Sequence, residues 1–380
     1  MKYKLKEIFD LQMGKTPARN NDKYWNTKDY KWISIADLTS TDKYINNTKE
    51  YISQSAVTES GIKIIPANTV VMSFKLSIGK TAILSEDMYS NEAIMAFHDK
   101  HVVELLPEYI YYLIKAKNWN GGSNRAVMGQ TLNKATLSEI EVDVHTIDEQ
   151  KKIVELLNLV GKIIYKRNTQ LSKLGDILSA RFVELFGDTS LNTKRYPVKS
   201  LSEIAEYWNG LTYKPEDVAK KGTIVLRSSN IQNAQLDFAD TVRVTCKISE
   251  KKYVQDNDIL MCSRNGSARL VGKVALIKGI EELMSFGAFM MIIRSNYYPY
   301  LMTYFQLPAF RAQITTGATT TINQITSRML DNVKLPVPEV IELESYISFI
   351  EQVNKSKVEV QRALDEAQLL FDSLMQKYFG

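Results

Sequence analysis

The chain has 380 residues, 44% of them hydrophobic and 24% charged, which is too long for one compact core and too ordinary for a disordered or fibrous protein. Two cysteines, Cys246 and Cys262, exclude a disulfide framework and suit a reducing, cytoplasmic setting. No run approaches the roughly 20 apolar residues of a bilayer-crossing helix, and the basic start Met1-Lys2-Tyr3-Lys4 leads into no apolar signal core, so no membrane partner is expected. The net charge of +5 permits nucleic-acid binding without arguing for it.

In chain order, residues 1–147 read as a first globular domain. Short β-type runs (Lys31–Ile35, Thr69–Phe74, Thr81–Leu84) alternate with turn residues, and a helix is expected near Pro107–Lys117. Residues 148–187 contain no proline and read as one long helix. The polar stretch Gly187-Asp188-Thr189-Ser190 opens a second globular domain, 188–340, which ends at Pro336 and Pro338. Residues 341–380 read as a second long helix. The order is thus stated twice. Gln130-Thr131-Leu132-Asn133 through Phe186-Gly187 recurs as Thr320-Thr321-Ile322-Asn323 through Phe379-Gly380, at a constant offset of 193 along the helices. The globular parts repeat more loosely. Leu5–Ile8 before Gly14 parallels Leu201–Ile204 before Gly210, Ile33–Leu38 parallels Leu226–Ile231, and Asn68–Ser73 parallels Asn257–Cys262. A chain of two similar halves suits a partner with two-fold symmetry, such as duplex DNA.

In the first helix the apolar positions Ile153, Leu157, Val160, Ile164, Leu171, Leu174 and Leu178 step by fours and threes, with Arg167 filling the gap. In the second, Ile350, Val353, Val360, Leu364, Phe371 and Leu374 keep the same phase, with Lys357 as the polar interruption. Each helix packing only on its own globular domain is the competing arrangement. The length of the pattern, over three heptads in both arms, argues for the two arms pairing as an antiparallel coiled coil. At about 1.5 Å per residue an arm spans on the order of 57 Å, more than a DNA helical turn of roughly 34–36 Å.

These residues resemble a known family. Gly129–Lys134 with Ile140-Glu141-Val142, Thr319–Asn323 with Val333–Pro338, Asp148–Ile153 at the first helix start, and the two Phe-Gly endings look like the specificity subunit of Type I restriction-modification systems. The second half departs by carrying Ile341-Glu342-Leu343 where the first has Asp148-Glu149-Gln150. The resemblance implies an α+β fold with pseudo-two-fold symmetry: two similar mixed α/β target-recognition domains separated by two paired long helices. It further implies a subunit with no catalysis of its own that reads a bipartite double-stranded DNA target with a fixed gap. Its partners would be two methyltransferase (modification) subunits and restriction subunits. S-adenosylmethionine, ATP and Mg would belong to those partners, and this chain would hold no cofactor. A variant serving a modification-only system or a single-chain enzyme stays open, as does a coiled-coil scaffold whose globular domains bind proteins.

The chain offers no chemistry against that expectation. It has no adjacent prolines, hence no Asn/Asp-Pro-Pro-aromatic motif, and no phosphate-binding or dinucleotide-binding glycine loop. His98 and His101 lack neighbours at metal-ligand spacing. Pro215-Glu216-Asp217 with Lys220-Lys221 reads as a solvated turn, not a nuclease motif. Groove readout and phosphate contact need Arg, Lys, Asn, Gln, Ser or Thr on loops. In the first domain the candidates are Lys15, Thr16 and Arg19 after Gly14, then Lys75, Ser77 and Lys80 around Gly79, then Asn124, Arg125 and Gln130. In the second they are Tyr213, Lys214, Arg227, Ser228, Asn230, Arg264, Asn265, Ser267 and Arg269, with Thr316, Thr319 and Thr320 in a threonine-rich loop. Ser263–Arg269, set between two apolar runs as a projecting hairpin tip, is the sharpest candidate.

Overall fold

The computed structural model describes residues 1–25, 27–75, 77–117, 119, 132–315 and 324–380. They form two compact units, one of Met1–Thr169 with Gln361–Gly380 and the other of Gln170–Val360. Among the described residues no helix is long and apolar enough to cross a membrane.

In the first unit a five-stranded sheet runs in the order Phe9–Met13, Ile94–Asp99, Val70–Ser73, Thr81–Leu84, Tyr44–Ile45. Strict alternation splits its side chains between two cores, as a period of two requires. Val70, Met72, Ile83, Met95 and Phe97 join a helical core with the helix Pro107–Ala116 and the start of the long helix. Val71, Ala82, Leu84, Ile94 and Ala96 face a second core that includes Ile33 and Met88. A three-stranded sheet, Glu50–Ile52, Tyr30–Ile33 and Tyr89–Ser90, completes the unit.

The second unit repeats the plan. Its sheet Glu206–Asn209, Met290–Arg294, Ile259–Cys262, Val274–Leu276 sends Ile259, Met261, Met291 and Ile293 to a helical core, and Leu260, Cys262, Met290 and Ile292 to the opposite one. A small ladder in each unit ties the domain's first strand to the one before the long helix, Lys2–Lys4 with Glu141–Asp143 and Val198–Ser200 with Lys334–Pro336.

The run Lys31–Ile35 is not strand throughout. Strand ends at Ile33, because Ser34 caps the helix Ile35–Ser40: its backbone N–H and hydroxyl both donate to the Asp37 carboxylate, at 2.8 and 2.6 Å. The parallel segment behaves alike. Strand Thr223–Leu226 ends, and Arg227 N–H donates to Asn230 Oδ1 (2.8 Å) across the turn Ser228–Asn230.

The long helices span Ile147–Phe186 and Val340–Phe379, 40 residues each. Despite their different sequences they start at equivalent points. Thr146 N–H donates to the Glu149 carboxylate (2.9 Å) and Glu339 N–H to that of Glu342 (3.2 Å). The next residue is buried in both. Gln150 fills its site with hydrogen bonds to the carbonyls of Glu104 and His145, whereas Leu343 fills its site with hydrocarbon. Two solutions to one buried position explain the departure between halves. The far ends also match. In the second unit Phe186 meets Tyr300 edge-on at 5.1 Å, and in the first Phe379 meets Tyr109 at 5.4 Å. Burial pushes the Tyr109 phenol up to about 12 and raises Tyr300 as well, so both stay neutral. Each donates to a strand carbonyl, Tyr109 to Asp143 (3.2 Å) and Tyr300 to Pro336 (2.7 Å).

Every heptad residue named above is buried or half-buried, while Lys162, Lys166, Lys173 and Lys355 between them are exposed. Lys357 shares the stripe and burial lowers its pKa, so the protonated amine is disfavoured there. Lys357→Ile, copying Ile164 of the first helix, should stabilise the second unit by about 1 kcal/mol, or roughly 2–4 °C in Tm. The penalty on Lys357 is fully present below its lowered pKa and disappears above the ordinary lysine value of 10.5. The gap between variant and parent should therefore narrow as thermal scans are moved to higher pH.

Candidate nucleic-acid interface

In the second unit the candidate residues converge on a cleft of about 810 Å³. Its floor is main chain brought unusually close. Gly210 N–H donates to Met290 O (3.1 Å), Leu211 N–H to Phe286 O (2.6 Å) and Gly287 N–H to Leu226 O (2.9 Å). A Cβ on Gly210 would stand 2.1 Å from Phe286 O, so only glycine fits.

The walls come from three segments. Tyr213 follows the glycine, Arg227 and Ser228 follow their strand, and Ser263, Arg264 and Asn265 leave the strand Ile259–Cys262. The last segment does not project as a free hairpin tip. Ser263 N–H and Arg264 N–H both donate to Phe289 O, at 2.9 and 3.0 Å, and the Ser263 hydroxyl adds a third bond at 3.0 Å. The Arg264 guanidinium lies over the Phe289 ring, 5.8 Å from its centroid, and donates through Nε (3.1 Å) and Nη2 to Gln324 Oε1. Asn265 Nδ2 donates to Ser228 Oγ (3.2 Å), joining two walls. Arg227 Nη2 donates to Asp240 (2.8 Å). Two arginines with hydroxyl, amide and aromatic groups on a fixed frame suit an anionic, planar-edged ligand.

Tyr213, Arg227, Ser228, Arg264 and Asn265 thus come together, and the rest of the list divides. Asn230 is not a reading residue. It is wholly buried, its amide N–H groups donate to Asp237 O (2.8 Å) and Asp240 O (2.9 Å), and its oxygen holds the Arg227 turn, so it cannot reach a ligand. Lys214 pairs with Glu216 (3.2 Å) and does not line the cleft, its N–H capping Asp217 as a plain turn requires. Ser267 donates its N–H to Asn265 Oδ1 (3.0 Å), and among the described residues exposed Arg269 makes no polar side-chain contact. Thr316, Thr319 and Thr320 lie outside the described residues, as do Asn124, Arg125 and Gln130.

The first unit carries the same frame. Gly14 N–H donates to Ile94 O (3.1 Å), Lys15 N–H to Ser90 O (2.8 Å) and Asn91 N–H to Ile33 O (2.9 Å). A Cβ on Gly14 would stand 2.2 Å from Asn91 O. Phe74 N–H to Ala93 O (2.9 Å) matches Ser263 to Phe289, and Gly79 N–H to Ser73 O (2.9 Å) matches Gly272 to Cys262 (2.8 Å). On this frame Lys15 donates to Ser60 O, and Thr16 meets Glu92 and accepts from Asn91 Nδ2 (3.0 Å). The Lys75 amine lies 5.3 Å from the Phe74 ring, and Lys80 is exposed. Ser77 is exposed and its carbonyl accepts from Ser73 Oγ. Arg19 is engaged within the fold: its guanidinium forks onto Glu50 and sits 3.9 Å over Trp25 and 4.7 Å from Trp32, while its side chain stays half exposed.

Phe289 and Gln324 escape a reading of the sequence alone: one sits in an apolar run and the other beside a threonine loop. Burial pushes the Cys262 thiol up, which disfavours the thiolate. Among the described residues no cluster could hold a metal ion.

Asn230→Ala leaves the Arg227 N–H and two carbonyls without partners, and should cost about 2–3 kcal/mol of the second unit's stability. Chemical denaturation would show it as a lowered midpoint.

The sequence profile described as "Type I restriction modification DNA specificity domain" matches twice, over residues 1–173 and 194–367. A Type I restriction enzyme specificity subunit of Methanocaldococcus jannaschii is 29% identical over 187 residues, 48% of this chain and 42% of that one. One from Escherichia coli, of EcoR124I/EcoR124II, is 28% identical over 165 residues, 39% of its length, so the chain spans well under half of these relatives. The EcoKI specificity subunit of Escherichia coli K12 is 22% identical over 92% of this chain and 82% of its own. In fold, the S subunit of a Type I system from M. genitalium matches all of this chain and 96% of its own, with TM-score 0.52 at 14% identity. A chain from a type I R-M complex covers it equally, with 97% of its own length matched and TM-score 0.64 at 14% identity. With both halves matched over most of its length, the chain belongs to the Type I restriction-modification DNA specificity family.

Proposed function

We propose that this chain is the sequence-reading subunit of a Type I restriction-modification complex. It reads a bipartite double-stranded DNA target, one half-site per globular domain, and does no catalysis. Two methyltransferase subunits and the restriction subunits are its partners, and they carry S-adenosylmethionine, ATP and Mg. The observation that carries this reading is the second unit's cleft, with Arg227, Arg264 and Asn265 on a frame that recurs in the first unit under different side chains. A repeated frame with changed loops is what two half-sites of unlike sequence call for.

The long helices set the gap in this reading. Forty residues at about 1.5 Å each make a rod of roughly 60 Å, enough to span a DNA helical turn. They would do so as an antiparallel coiled coil, and their matching heptad phase supports that pairing.

Co-expression with the methyltransferase in a methylation-free host, followed by mapping of methyladenine, should return a split motif methylated on both strands. Methylation that ignores this chain would turn the reading toward a protein-binding scaffold. Inserting one heptad near Arg167 should lengthen the unread gap and leave both half-sites unchanged, and altered half-sites would remove the spacer role. Affinity of the assembled complex for its duplex should fall by about 10³ or more between 50 and 200 mM salt, as counterion release demands.

A further inference from the structure

We propose that Arg264 and Phe289 read one dinucleotide step of the second half-site, Arg264 a guanine and Phe289 the methyl group of the thymine beside it. This inference rests on the function proposed above and names the contact made at that site.

Phe289 is the odd residue of its segment. Phe286 and Met290 on either side are buried, whereas Phe289 leaves 59% of its surface to solvent. A single exposed apolar residue is ordinary. This one differs because its backbone is fixed: three donors, from Ser263 and Arg264, converge on its carbonyl. A rigid turn that holds an aromatic ring out beside a cleft presents an apolar surface without a further cost in backbone freedom. The corresponding position of the first unit, Ala93, accepts the same backbone bond from Phe74 but is small and buried, so the frame itself does not need the ring.

Gln324 settles how Arg264 can be used. Its Oε1 accepts from Nε and Nη2 and so occupies the side fork of the guanidinium. Among the described residues the end fork, formed by the two Nη groups, has no second partner, and Arg264 lines the cleft. Guanine offers O6 and N7 as paired acceptors in the major groove, and the thymine methyl is the apolar mark there. The ring centroid lies 5.8 Å from the guanidinium carbon, within reach of neighbouring base pairs, which rise by about 3.4 Å along a strand. Gln324 is a positioning residue in this arrangement.

The test uses the chain assembled with its methyltransferase, first to obtain the motif and then to bind duplexes carrying it. The half-site of the second domain should contain a T·A pair next to a G·C pair. Arg264→Ala should relax discrimination at the guanine by roughly 5–150-fold, and Phe289→Ala should relax the adjacent thymine. Replacing that thymine by deoxyuridine, which removes only the methyl, should weaken binding about fourfold for the parent chain and not at all for Phe289→Ala. The deoxyuridine series on the parent chain needs no variant, so a folding defect cannot mask the answer. A half-site without such a step, no loss with any deoxyuridine, or an undiminished loss in Phe289→Ala overturns the assignment. Any of these would leave the DNA-reading function standing if Arg264→Ala still alters the motif, whereas methylation independent of this chain overturns both.

Discussion

A phenylalanine at the end of each long helix packs on a tyrosine that also fixes the start of the other long helix. Phe186 lies against Tyr300 and Tyr346, and Phe379 against Tyr109 and the ring of His145. The tyrosine hydroxyls bind the strands that lead into those helix starts, at Pro336 and Asp143. One cluster in each unit therefore sets where a helix ends, where another begins, and how both meet the central sheet. Removing water from rings of this size is the largest favourable contribution such a junction can offer, and edge-on geometry adds to it. The sheets, and the turns they hold at the cleft, are built out from these junctions.

Above the junctions the two halves diverge by loop and not by frame. The backbone bonds that fix Gly14 and Gly210 agree to within the pattern of donors and acceptors, and so do those that fix Gly79 and Gly272. Between Ser73 and Gly79 the first unit makes a short turn. Between Cys262 and Gly272 the second makes a longer one that carries Arg264, Asn265 and Arg269. Close main-chain approach at the glycines leaves no side chain to perturb the floor, so changes can accumulate in the walls without disturbing the core.

Much of this was legible from residues alone. The offset of 193 identified the repeat, and heptad spacing gave both helices, because a periodic apolar stripe is a local signal sustained over many turns. Five of the cleft residues were also readable as polar groups on turns after strands. Asn230 and Arg19 were not separable from them, since a buried asparagine that staples a turn has the same local sequence as one that faces a ligand. Their roles depend on Asp237, Asp240, Glu50 and two tryptophans, partners that only the folded chain brings near. Phe289 was hidden for the opposite reason: six apolar residues in a row, Ala288 to Ile293, give no sign of which one turns outward.

The distribution of the second long helix also has a consequence for the order of synthesis. The first unit's helical core contains Leu5, Tyr109 and Leu157, yet it is closed by Phe371, Leu374 and Phe379. Those residues leave the ribosome only after the whole second unit has been made. At about 5–20 residues per second that is a delay on the order of ten seconds or more, during which an apolar face built from the earliest part of the chain stands open. Incomplete chains would keep that face open for good, which makes them natural targets for chaperones and for degradation.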